Sequence, residues 1–169
     1  TTKDRITYGK LASEGQGRNI KVIPQEGITV VNKTQVGVTN SITDITVKAA
    51  DGHYLPSNYV DEVKKLALNG LTVSKTEDSI KISGTPTNDV NVVLPEARRD
   101  QFVVEGGTKG VDYTYQNGVL TFINNGSYVL KHPSGITDTS DRVVIANNFN
   151  GSLTLDNISI NLNGVPCID

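Results

Sequence analysis

Tyr113-Thr114-Tyr115-Gln116-Asn117-Gly118-Val119-Leu120-Thr121-Phe122 reads as two short strands joined by the strongest turn signal in the chain. Asn and Gly both tolerate positive φ, and a two-residue turn of that kind matches the natural twist of a strand pair. The flanking residues are β-branched or aromatic types, which fit a pleated, half-buried surface. The same grammar repeats toward the C-terminus. Further strands are expected from Phe102 to Glu105, Tyr128 to Lys131, Val143 to Ala146, Ser152 to Leu155 and Ile158 to Leu162. Gly106-Gly107, Asn124-Asn125-Gly126 and Asn150-Gly151 separate them.

Toward the N-terminus the pattern changes at Pro95 to Asp100, where a proline closes a strand and the sequence turns charged. This divides the chain into two modules, 1–96 and 97–169. The first opens with a lead-in strand and loop, Thr1 to Asn19. Short strands follow around Ile20 to Ile23, Ile28 to Val31 and Ile42 to Val47, and again at Leu71 to Lys75, Ser79 to Ser83 and Val90 to Leu94. Between them lies one helix, Ser57 to Leu68. Ser57 or Asn58 can cap it, and Asp61 and Glu62 suit its positive end. Val60, Val63 and Ala67 form an apolar stripe, and Asn69-Gly70 stops it. The expected class is mainly β: a small β module with one helix, then a strand-turn β module.

Composition narrows the function. The apolar fraction is 36% and the aromatic fraction 5%, without Trp or Met, so burial rests on Val, Ile and Leu in thin β layers. A net charge of -2 offers no electrostatic footprint for nucleic acid, which would need clustered Lys and Arg. Arg98-Arg99 reads as part of a solvated linker. A single cysteine, Cys167, excludes an internal disulfide and a Cys-based zinc site, and reads as a small buried hydrophobe. No apolar run approaches the length of a membrane span, so membrane insertion is not expected.

The run Val104-Glu105-Gly106-Gly107-Thr108, continuing through Asp112-Tyr113-Thr114-Tyr115-Gln116-Asn117-Gly118-Val119-Leu120-Thr121-Phe122, resembles a segment of large bacterial surface proteins, many of Gram-positive type. In these a similar phrase leads into a right-handed parallel β-helix of the carbohydrate-binding kind. Thr139 to Ala146 and Leu153 to Ile160 look like its first coils, of which two or three rungs would lie before Asp169. Ile82-Ser83-Gly84-Thr85-Pro86-Thr87-Asn88-Asp89-Val90 is similar to the strand-turn-strand of immunoglobulin-like modules that precede such coils. The resemblance implies an extracellular, cell-surface location and a polysaccharide or host glycan as partner. Other modules of the same long chain, or identical subunits, are the further partners it implies.

Catalytic chemistry finds little footing. His53 and His132, the only histidines, fall in different modules and read as exposed polar residues, His53 in a turn and His132 in a loop. Gly15-Gln16-Gly17 is no phosphate cradle, since the further glycine and helix are missing. No cofactor is required. Calcium is the one metal the sequence admits, with Asp138, Asp141 and Asp156 as oxygen donors, although Asp and Asn here equally cap turns. Tyr113, Tyr115 and Tyr128 could stack on sugar rings or pack on neighbouring strands. Asn148 and Asn161 could belong to a polar sugar-binding strip or to stacked side-chain ladders. The leading expectation is a non-enzymatic adhesion module that presents or contributes to polysaccharide binding. The alternatives are a stalk or fibre subunit joined through strand edges, and a fragment of a β-helix polysaccharide lyase.

Overall fold

The computed structural model describes residues 17–76 and 78–169. The expected lead-in strand from Thr1 to Asn19 lies mostly outside them. The described chain is mainly β, with fifteen strands and one short helix. None of its helices is long and apolar enough to cross a membrane. It divides into two compact units. One holds residues 17–51 and Ser57–Ala97, the other Gly52–Pro56 and Arg98–Asp169, so a short stretch inside the first module's sequence belongs to the second unit.

The first unit contains two sheets. In one, β2 (Ile28–Val31), β4 (Ile45–Ala49), β7 (Ser79–Ser83) and β6 (Thr72–Lys75) pair antiparallel in that order. In the other, β3 (Thr34–Val38) lies antiparallel and β8 (Val90–Val93) parallel to β1 (Arg18–Ile23). Alternate residues point inward, as period two requires. Ile20 and Val22 on β1, Ile45 and Val47 on β4, Ile80 and Ile82 on β7, and Val90 and Val92 on β8 are all buried. β3 has no counterpart among the expected strands, because its Thr-Gln-Val-Gly-Val run carries only two strongly apolar residues. The Gln35 side chain holds this edge, donating to Thr43 O at 2.7 Å and accepting from the Thr43 N–H at 2.9 Å.

The helix is shorter than its apolar stripe suggests. α1 spans Tyr59–Lys64, and Asn58 precedes it without a side-chain capping bond, so neither expected cap operates. Leu66 N–H bonds Val63 O and Leu68 N–H bonds Leu66 O, tight turns that replace the helical ladder before Asn69 enters the left-handed region at φ 50°. Val63 and Tyr59 are the residues α1 buries, and the Tyr59 hydroxyl donates to Pro95 O at 2.8 Å.

In the second unit, β11 (Tyr113–Gln116) and β12 (Val119–Phe122) form the expected hairpin, with Asn117 at φ 53° and Gly118 at φ 77°. Pairing then becomes parallel. β14 (Arg142–Ile145) lies beside β12, with Val119 opposite Arg142 and Phe122 opposite Ile145. β15 (Ser152–Leu155) lies beside β13 (Ser127–Lys131), with Ser127 opposite Ser152 and Leu130 opposite Leu155. β10 (Val103–Glu105) covers the other edge of β13 antiparallel.

The turns stack as well. Asn150 N–H donates to Asn125 Oδ1 at 2.5 Å and Ser152 N–H to Gly126 O at 2.8 Å, while a Cβ on Gly151 would collide with Gly126. The expected strand from Ile158 to Leu162 is reduced to one bridge, Thr139 with Ile160, whose backbone bonds run to Thr139 while the Ser159 N–H goes to a side chain, His132, so no ladder forms. Ile168 adds a parallel bridge to Val143.

Candidate functional site

The expected binding residues are dispersed. Tyr115 and Tyr128 are buried in the second unit's core with Phe102, Leu120, Phe122, Leu130 and Val143. Their rings are therefore packing elements rather than the open platforms a sugar ring needs. Tyr128 lies 5.0 Å from Phe122 between centroids, and its hydroxyl donates to Asn124 O. Tyr113 is half-buried and packs 6.0 Å from Phe122. Asn148 is exposed in the turn after β14, and Asn161 is exposed with its backbone N–H bonded to Thr139 O. The structure thus separates the two asparagines from the tyrosines by burial.

The three aspartates expected to hold calcium have different surroundings. Asp138 accepts from the Ser159 hydroxyl at 2.8 Å, Asp156 is exposed, and Asp141 is buried and bonded to tyrosines. No group of three or more His, Cys, Asp or Glu side chains placed to hold a metal occurs among the described residues.

Asp141 instead organises the most polar point of the second unit. Its side chain is 5% exposed, just ahead of β14, where the Asp141 N–H donates to Thr139 Oγ1 at 3.0 Å. The Tyr115 hydroxyl donates to Oδ2 at 2.5 Å, and the Tyr54 hydroxyl reaches both carboxylate oxygens at 2.9–3.0 Å. Arg98 Nη2 approaches Oδ1 at 3.5 Å. Tyr115 in turn accepts the Gln101 N–H at 2.9 Å. Burial pushes both phenols up from their ordinary value, and the carboxylate that each hydroxyl faces adds to the rise. Neutral phenols donating to an anionic acceptor form charge-assisted bonds, so the cluster satisfies itself.

Two expectations about this region are corrected. Arg98-Arg99 is not a plain linker. It forms β9 (Arg98–Arg99), paired antiparallel with β5 (His53–Tyr54), and Arg99 Nη2 donates to Ser134 O. His53 accordingly lies in a strand rather than a turn. Asp100 follows, with Oδ1 buried and lacking a hydrogen-bond partner and Oδ2 3.9 Å from Lys109 Nζ. Burial raises its carboxyl above the ordinary range, opposed by the charges of Lys109 and His53 and reinforced by Asp141.

His132 lies in a loop as expected, directly after β13, but it is half-buried rather than exposed. It stacks on Phe102 at 5.5 Å, and its Nε2 accepts the Ser159 N–H at 3.0 Å. Nδ1 therefore carries the proton and donates to Gln101 O at 2.8 Å, bridging the segment before β10 to the chain after β15. Cys167 is half-buried and free, with Sγ 3.6 Å from Ile160 O.

Tyr54, Arg98, Gln101 and His132 are the residues whose roles local sequence patterns did not disclose. Tyr54 and Asp141 meet across 87 positions, and no short motif marks such a pair. Compared with known proteins, the chain matches no family model, and neither the curated proteins nor the solved structures contain a significant match.

Proposed function

We propose that the chain is a non-catalytic module of an extracellular bacterial surface protein. In this reading the first unit is an immunoglobulin-like support and the second begins a right-handed parallel β-helix. The observation that carries it is the double parallel stack, β14 on β12 and β15 on β13, with Asn150-Gly151 seated on Asn125-Gly126. Two strands and the turn between them repeat in the same order one layer on, which is how a strand coil grows. β10 and β11 close one side of the stacks with antiparallel pairing. On the other side, Cys167 O and Asp169 already bond to Val143 and Ile145, while Leu155 remains 47% exposed.

Between a scaffold and a glycan binder, burial of Tyr115 and Tyr128 favours the scaffold. A polysaccharide would have to meet exposed polar residues such as Asn148 and Asn161 instead.

The scaffold reading is tested by appending a copy of residues 145–169 after Asp169. Because Val143 pairs with Ile168, the copy continues the existing register. The alternate N–H groups of Leu153 and Leu155 face away from β13, and their hydrogen exchange should slow about tenfold or more if a coil stacks there. Unchanged exchange would count against the β-helix. A glycan array is the second arm: binding that is lost on joint Asn148→Ala and Asn161→Ala substitution would reinstate the sugar-binding reading.

A further inference from the structure

The chain passes between the two units three times, after Asp51, after Pro56 and after Ala97. The excursion Gly52–Pro56 is only five residues long, yet it is fixed at several points inside the second unit. His53 pairs with Arg99 and Tyr54 with Arg98, and the Asp100 N–H donates to Gly52 O at 2.8 Å. Tyr54 is 6% exposed, its ring 5.2 Å from that of Tyr115, and its hydroxyl ends on the buried Asp141 carboxylate.

We infer that Gly52–Pro56 is a strap latched by Asp141, and that the second unit completes its core only when this strap, borrowed from the first unit's stretch of sequence, is in place. The core cluster counts Tyr54 among its buried side chains together with Phe102, Tyr115 and Leu120. Removing the strap would open that ring site and take from Asp141 one of its two phenolic donors. Arg98 is half-exposed and 3.5 Å away, so it replaces neither the ring nor a short hydrogen bond. A two-strand ladder as short as β5 with β9 is too small to persist by itself, so the bond of Tyr54 to Asp141 and the packing of its ring on Tyr115 add to what holds it. The strap also makes the division of the chain at Ala97 a poor place to cut, because its two ends are continuous with first-unit chain.

The test uses the full chain and native-state hydrogen exchange. In the wild type, the Asp100 N–H, which reports strap attachment through Gly52 O, should exchange as slowly as the β12 amides and through the same opening. Tyr54→Phe keeps the ring and removes the hydroxyl. It should speed exchange at Asp100 and in β11 and β12 about tenfold or more, as expected for a lost bond to a charged acceptor. Tyr115→Phe, which leaves the strap's own bond to Asp141 intact, should affect Asp100 less than Tyr54→Phe does.

The inference is overturned if the wild-type Asp100 N–H exchanges at loop rates while β12 stays protected. It is equally overturned if Tyr54→Phe leaves β11 and β12 within about twofold of wild type. Should Tyr54→Phe fail to accumulate as folded protein, the wild-type comparison of Asp100 with β12 decides the matter alone.

Discussion

Asp141 is a carboxylate buried against two phenols, with a half-exposed guanidinium 3.5 Å away, and removing it strips both buried hydroxyls of their anionic acceptor, so the loss exceeds that of the bonds themselves. Asp141→Ala leaves the Tyr54 and Tyr115 hydroxyls facing each other across a void, and is expected to destabilise the protein by about 3 kcal/mol in urea unfolding. Asp138→Ala, which loses only an exposed bond to Ser159, should cost a small fraction of that. The sequence presents Asp138 and Asp141 alike, as turn aspartates three positions apart. What separates them is the arrival of Tyr54, and that is a fact of folding rather than of spacing. Asp100 shows the opposite balance. Its folded carboxyl lies above the unfolded value because burial disfavours the anion, so its contribution is intact below the unfolded value and is lost as pH rises through the folded one. Asp100→Asn should therefore gain on the wild type across the acid range and hold a constant advantage by neutral pH, measured as the difference in Tm against pH.

At the scale of the element, the Asn117-Gly118 hairpin was legible because its chemistry is local: both turn residues take positive φ, as their types suggest. The turn also carries a long-range constraint. A Cβ on Gly118 would stand 3.0 Å from Asp141 Oδ1 and 3.4 Å from the Tyr54 hydroxyl, in a backbone conformation that L residues rarely adopt. Gly118→Ala is expected to lower stability by about 2 kcal/mol, against about 1 kcal/mol for a positive-φ glycine in open space such as Gly52, read from denaturation midpoints. The helix was legible in kind and not in length. Its stripe of Val60, Val63 and Ala67 continues past Lys64, but the backbone tightens into turns that deliver Asn69 and Gly70 to the strand beyond. The segment from Ile158 to Leu162 reads as a strand because its residues are β formers, yet it finds a partner only at Thr139. β propensity describes a residue's fit to a sheet and does not supply the neighbouring strand.

For the whole molecule, the mainly β class follows from turn chemistry and composition, whereas the transfer of Gly52–Pro56 to the second unit has no local signature. That hidden feature has a consequence for alkaline stability. Tyr54 and Tyr115 meet the Asp141 anion as neutral donors in a buried setting, and Tyr59 is buried in the first unit, so all three phenols ionise later in the fold than in the unfolded chain. A group with a raised folded value binds its proton more tightly in the native state. Its stabilising contribution is complete below the unfolded phenol value of about 10 and declines as pH climbs above it. The urea midpoint should be flat between neutrality and that point and then fall, while the phenolate absorbance of the native protein lags behind that of the unfolded chain. Joint Tyr54→Phe and Tyr115→Phe substitution lowers the midpoint at neutral pH but makes its alkaline fall shallower, because two of the withheld phenol ionisations are gone while those of Tyr59, Tyr113 and Tyr128 remain. If the alkaline slope of this variant equals that of the wild type, the phenols of the Asp141 cluster are not what couples the fold to pH.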